Sequence, residues 1–277
     1  YRFQKPPMMK ANGVVDVTPA GRTDLTVTFA SNDAAHYNFL GRDLLLHDAS
    51  GKVQLKGSTV LVENLKMNTF GGPVTGSFIH TGKGQLNGEL SWSHLSVADL
   101  ATTYGFEMKQ GEVTGRIDFS LADGKIETMD GKGLLVLEKA ELFSVPMFGP
   151  LTPLISGVLG NKRAGFERAK SAFFTYEIKN GILSSNDFQT STRSLAFTGD
   201  GRVDLRERTV DMTMRMNARG LLGLITLPLK PFYGLFQFRG TGPLKSPVWE
   251  NVMFTDPPEQ QNKVLLDPPK AQVVTEE

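Results

Sequence analysis

Histidines, carboxylates and glycine-rich turns are the groups from which a catalytic or metal site would be built, and this chain carries them only in scattered form. Four histidines, His36, His47, His80 and His94, lie far apart. They have neither the i, i+4 pairing nor the neighbouring carboxylates of a zinc site, so surface or structural positions are expected for them. There is no cysteine, which removes disulfides, thiolate ligands and thiol nucleophiles together. Gly71-Gly72-Pro73-Val74-Thr75-Gly76-Ser77 has the glycine spacing of a phosphate loop. Ser77 stands where that loop needs lysine and no helical pattern follows, so a hairpin turn accounts for the run. Gly131-Lys132-Gly133 leads into an apolar strand pattern rather than a helix start, and the dinucleotide fingerprint fails as well. No Gly-x-Ser-x-Gly elbow occurs. Glu138 and Glu141 are an acid/base pair by type, but a polysaccharide cleft wants several converging aromatics, and Trp92 and Trp249 are far apart in the chain. Solvated carboxylates are the simpler reading. The chain therefore reads as non-enzymatic, with no cofactor.

The elements that would position any site are strands. Period-two alternation recurs from about residue 12 to about residue 254, the signature of half-buried strands. In its clearest stretch Val210, Met212, Met214 and Met216 interleave with Asp211, Thr213, Arg215 and Asn217, giving one dry and one wet face. Leu25, Val27 and Phe29 repeat the pattern, as do Val113, Ile117 and Phe119, and Phe174, Tyr176 and Ile178. Asn12-Gly13, Ser50-Gly51, Asn87-Gly88, Asp123-Gly124, Asp130-Gly131 and Asn180-Gly181 are expected as tight hairpin turns, because such pairs supply positive φ. Successive strands should then pair antiparallel, since parallel pairing needs long crossovers and few helical patterns exist. One is Ser96 to Tyr104, with Ser96 as its cap and Val97, Leu100 and Tyr104 on one face. Another runs from about Pro146 to Leu159. The apolar segment Gly220 to Leu229 is a turn of helix or a buried loop.

Thirty basic against 29 acidic residues, a formal charge of +1, leave no global field to attract nucleic acid. Leu142 to Asn161 has no charged residue and approaches membrane-spanning length. Pro146, Pro150 and Pro153 argue against spanning and favour a helix lying on a surface. The start at Tyr1, without an initiator methionine or a leader pattern, reads as a fragment whose signal or anchor lies upstream. The Pro-rich stretch 255–277 is expected to be disordered.

From about Gly111 to Val252 the order of features resembles the C-terminal region of the AsmA-like family of bacterial envelope proteins, which are similar in architecture to bridge-like lipid transporters. The resemblance rests first on Gly133-Leu134-Leu135-Val136-Leu137-Glu138-Lys139-Ala140-Glu141-Leu142, on the proline-rich apolar helix, and on Phe166-Glu167-Arg168-Ala169. It continues in Phe174-Thr175-Tyr176-Glu177-Ile178-Lys179-Asn180-Gly181-Ile182-Leu183 and in Leu195 to Leu205, and closes with Phe236 to Pro247. The missing N-terminal anchor departs from the family. The resemblance implies a mainly β fold: a long antiparallel sheet curled into an open apolar groove, with two or three short helices. It divides the chain into further groove strands over 1–95, an AsmA-like module over 96–254 and the tail.

What the resemblance further implies is a protein that conducts phospholipid between inner and outer membranes across the periplasm, in support of outer-membrane biogenesis. Its partners would be phospholipid acyl chains, the inner membrane through an upstream anchor, and the outer membrane or envelope proteins at the C-terminal end. A lipid with roughly 30 methylenes faces on the order of 20 kcal/mol if exposed to water, so such a groove must be continuous. Its expected lining is Val113, Ile117, Phe119, Phe174, Tyr176, Ile178, Leu195, Phe197, Val203, Leu205, Val210, Met212, Met214, Met216, Phe236 and Phe238. Phe148, Leu151, Leu154, Ile155, Val158 and Leu159 would plug the groove's end or dock on a membrane. Two other readings stay open. An apolar strand face is usually the dry core of a sandwich, in a structural or adhesive protein. A β-rich envelope hydrolase is the third.

Overall fold

The computed structural model describes residues 2–16, 23–39, 42–105, 108–140, 171–191, 195–218 and 236–253. Among the described residues sixteen strands join in one antiparallel sheet that does not close on itself. In chain order they begin with β1 (Arg2–Phe3), β2 (Met8–Val14), β3 (Asp24–Ser31), β4 (Ala35–Phe39), β5 (Arg42–Lys56), β6 (Thr59–Thr69), β7 (Gly72–His80) and β8 (Gln85–Ser96). After helix α1 (Val97–Tyr104) come β9 (Glu112–Ala122), β10 (Asp130–Glu138), β11 (Ser171–Lys179), β12 (Ile182–Ser191), β13 (Leu195–Asp204), β14 (Thr209–Ala218), β15 (Phe236–Pro243) and β16 (Val248–Asn251). From β5 onward each strand pairs with the next in sequence, the simplest outcome of repeated hairpins. The 15-residue β5 is long enough to pair with β4 at its start and β3 at its end. Residue 95 is no boundary in the sheet, since Leu95 on β8 stands opposite Val113 on β9.

The hairpins at Asp123-Gly124 and Asn180-Gly181 have positive φ at both residues, as their sequence requires. Phe70-Gly71 makes another such turn, ahead of the strand that carries the rest of the glycine-rich run. Four of the expected turns are not turns. Asn12-Gly13 lies in β2, Ser50-Gly51 in β5, Asn87-Gly88 in β8 and Asp130-Gly131 in β10. In each, the glycine admits a close neighbour across the ladder: a Cβ on Gly51 would meet the Phe29 ring, one on Gly88 the Phe119 ring, and one on Gly13 or Gly131 the backbone of the opposite strand. Glycine inside a strand marks such close approach.

Helix α1 is where the sequence places it. The Ser96 hydroxyl accepts from the Asp99 N–H at 3.2 Å, satisfying one of the otherwise orphaned first-turn donors. Gly105, at φ 74°, ends the helix by donating to the Ala101 carbonyl, as glycine does at helix C-termini. Val97 and Ala101 are buried, Tyr104 meets Phe70 with ring centroids 6.5 Å apart, and the helix touches both β8 and β5. It thus lies across one end of the strands between them. Among the described residues α1 is the one α-helix, beside a single 3-10 turn at Ile126–Thr128. The helix expected over 146–159, the segment 220–229 and the tail 255–277 lie outside the described residues.

Candidate functional site

Residues directly opposite one another on a ladder share a face of the sheet, so register alone sorts the side chains. One row runs unbroken across thirteen strands: Ala11, Val27, Val53, Val62, Phe78, Gly88, Phe119, Gly131, Ile178, Leu183, Val203, Val210 and Gly242. Every member is apolar. At about 4.8 Å per strand this row follows the sheet for roughly 60 Å. A parallel row on the same face holds Met67, Val74, Trp92, Gly115, Leu135 and Phe174. Farther along the sheet Phe188, Gly199, Met214 and Phe238 stand side by side in the same way.

The opposite face carries a shorter polar row, beside apolar residues such as Leu61, Ile79, Leu134 and Val136. Ser77, Glu89, Asp118, Lys132, Glu177, Ser184, Arg202, Asp211 and Thr241 form one row across nine strands. Its charges find partners. Arg239 donates from Nε to Asp211 at 2.9 Å and from Nη2 at 3.1 Å, and the Arg239 hydrogen bond, helped by its charge and that of Arg202, holds the Asp211 carboxyl below the usual range. Lys52 and Gln54 both donate to Glu63, at 2.9 and 2.8 Å, with the Lys52 bond the main cause of its lowered pKa. Arg215, also on this side, is 2% exposed and paired with Asp200.

Fifteen of the sixteen lining residues expected from the sequence fall on the apolar face. Val113, Ile117 and Phe119 come from β9, Phe174, Tyr176 and Ile178 from β11, and Leu195, Phe197 and Val203 from β13. Val210, Met212, Met214 and Met216 come from β14, and Phe236 and Phe238 from β15. Leu205 is the exception: it lies past the end of β13, in the turn, where its N–H donates to the Gly181 carbonyl. Phe148, Leu151, Leu154, Ile155, Val158 and Leu159 lie outside the described residues. Sequence reasoning left out of the lining Val27, Val53, Val62, Phe78, Leu90 and Trp92, which extend the same face through the first half of the chain. Alternation was available for Val27, Val53, Leu90 and Trp92; the β-bulges after Val62 on β6 and after Trp92 on β8 shift the period by one residue, so neither strand reads as one pattern along its whole length.

The apolar face is not uniformly open. Over β13 to β15 it is shut, with Met214 and Phe238 at 0% exposure and Phe197 and Met216 at 1%. Over β3 to β9 the inward Leu25, Val27, Phe29, Val53, Phe78, Leu90, Ile117 and Phe119 are only half-buried, whereas Val62, Val74, Leu95 and Val113 on the same face are buried and Trp92 packs against the core cluster that holds the last three. Between the two regions Tyr176 leans over Gly133 and its hydroxyl donates to the Arg116 carbonyl at 3.1 Å. Burial, with the charge of Asp118 adding to it, pushes that phenol up to about 12. Among the described residues nothing brings acids together inside the curl: Glu138 sits at the sheet's end opposite Glu112, whose carboxylate takes Lys139 Nζ at 2.7 Å, and Glu141 lies outside the described residues.

Fold and site together define an open antiparallel β-sheet protein with an apolar row across thirteen strands of one face and a polar row across nine strands of the other. Comparisons with protein-family models, with curated proteins and with solved structures give no match to this chain.

Proposed function

We propose that the apolar face is a groove that binds phospholipid acyl chains and conducts them, without catalysis, between the two membranes of a bacterial envelope. The observation that carries this reading is the thirteen-strand row from Ala11 to Gly242, which holds no charged or hydrogen-bonding side chain. A hydrocarbon chain seated on it meets only hydrocarbon side chains, while the outer row keeps the sheet in water. Continuity matters more than local greasiness, because each methylene left in water costs about 0.8 kcal/mol. The resemblance of residues 111–252 to AsmA-like C-terminal regions points the same way, and it is the source of the envelope setting and of the inner-membrane anchor upstream. The experiment is organic extraction of the purified chain followed by mass spectrometry. Co-purifying phospholipid is expected, and a chain that is lipid-free both as purified and after incubation with vesicles of phosphatidylethanolamine and phosphatidylglycerol overturns the reading.

A second reading, a structural protein with a dry core, is favoured at one place. Met214, Met216, Phe197 and Phe238 are sealed at the solid-like density of a protein interior. The same buried cluster reaches Val74, Leu95 and Val113, and the description does not fit the half-buried Leu25, Val27, Phe29, Val53, Phe78, Leu90, Ile117 and Phe119.

A further inference from the structure

Three glycines on the apolar face lie beneath aromatic rings, Gly51 and Gly88 among half-buried side chains and Gly115, itself buried, beside the core cluster. A Cβ on Gly51 would come 3.0 and 3.2 Å from Cε1 and Cζ of Phe29; one on Gly115, 2.6 Å from Cζ2 of Trp92; one on Gly88, 3.3 Å from Cε1 of Phe119. Each ring belongs to the residue directly opposite on the neighbouring strand. A ring that reaches its neighbour's Cα lies down along the sheet, whereas over an ordinary residue it would stand away from it. Around Gly51 and Gly88 the same face stays half-exposed, at Val27, Phe29, Val53, Phe78, Ile117 and Phe119, in contrast to the sealed β13 to β15.

We propose that the acyl chain seats over β3 to β9, on a floor levelled by Gly51 and Gly88, and that these two glycines set the depth of the groove. The inference rests on the lipid-binding reading above and places most of its primary contact in strands that precede the family resemblance, with β9 alone inside it. The occupant is a hydrocarbon chain because the floor offers no hydrogen-bond partners: an extended peptide laid there would leave its backbone N–H and C=O groups unpaired, and a methylene chain has none to leave. The dimensions agree. A leaflet's hydrocarbon depth of about 15 Å corresponds to roughly three strand spacings, and the levelled stretch from β3 to β9 is longer than that.

The test uses the full chain, with pyrene-labelled phosphatidylglycerol delivered from vesicles of phosphatidylethanolamine and phosphatidylglycerol. Gly51→Val raises the Phe29 ring into the groove, and the nearest backbone atom to the new Cβ, the Glu63 carbonyl oxygen, is 3.6 Å away, so the strand itself has room. Lipid retention is expected to weaken about tenfold, the contact of roughly two methylenes. Phe29→Ala added to Gly51→Val removes the raised ring and restores retention, an outcome a purely structural glycine would not give. Unchanged retention in Gly51→Val, or no recovery in the double variant, overturns the proposal while leaving lipid binding intact. Failure of the unaltered chain to take up lipid overturns the underlying reading instead. Should Gly51→Val not fold, a photoreactive residue at Leu90 or at Met216 decides the matter. Lipid adducts at Leu90 and none at Met216 uphold the placement; adducts only at Met216, or at Leu90 only to protein, refute it.

Discussion

Replacing Phe238 with alanine should destabilise the chain far more than the same change at Phe119, although both are phenylalanines on one face of one sheet. Phe238 is 0% exposed and stands opposite Met214, itself 0% exposed, so truncation leaves a cavity that rigid neighbours cannot fill. Such substitutions cost about 3–5 kcal/mol, and at about 2–4 °C per kcal/mol for a chain of this size the melting temperature should fall by roughly 10 °C. Phe119 is half-buried between Gly88 and Gly131. It forfeits only part of the ~1.5–3 kcal/mol that a fully buried side chain contributes, and leaves no enclosed void. Its loss should be about 1 kcal/mol. Parallel thermal and urea melts followed by circular dichroism measure both. Equal losses at the two positions would refute the division of the apolar face into a sealed and an open part, and with it the placement of the acyl chain.

Three further outcomes follow from particular contacts. Among the tyrosines whose surroundings are described, Tyr176 should ionise last in an ultraviolet titration, at about 12. Because the fold disfavours its charged form, the contribution of Tyr176 is intact below pH 10 and is lost as pH rises from 10 towards 12, and Tyr176→Phe should abolish the late step. Asp204 is held at about 2, chiefly by its hydrogen bond from Arg206 and then by the Glu207 N–H. Its contribution is present above the ordinary carboxylate range and lost as pH falls from about 4 to about 2; carboxyl-resolved NMR should show its midpoint move upward in Arg206→Ala. Ser96→Ala removes the acceptor for the Asp99 N–H and should cost about 1 kcal/mol in a denaturant melt, with hydrogen exchange rising at Asp99.

Much of the scaffold is legible in the chain, and the residues explain where legibility stops. Val210 to Asn217 alternates without interruption, so its faces can be assigned before any coordinates exist, and the strand it predicts is β14. Ser96 announces its helix by local chemistry alone. Glycine is the ambiguous letter. Asn180-Gly181 and Asn87-Gly88 look the same in sequence, yet the first bends the chain and the second sits mid-strand beneath Phe119, because what decides is a side chain 31 residues away on another strand. Positive φ at Asn64 and His94 marks bulges that displace the alternation by one position, and this is why Leu65 and Leu95 fall out of any simple periodic pattern. Burial is less legible still. Met214 reads from sequence as a natural contact for a mobile chain, but it is fully enclosed, whereas Val27 and Phe78, which the sequence presents no differently, remain half-open. Enclosure depends on what lies above a face, and that is not encoded in the strand's own alternation.

Site-specific photocrosslinking tests the central claim most directly. A photoreactive residue placed in turn at Phe78 and Ile117 on the apolar face, and at Lys132 on the polar face, is irradiated in the presence of vesicles of phosphatidylethanolamine and phosphatidylglycerol. Phospholipid adducts at Phe78 and Ile117 with none at Lys132 are the predicted result. Adducts at none of the three positions, or equal labelling of both faces, would contradict the account of this sheet as a lipid groove.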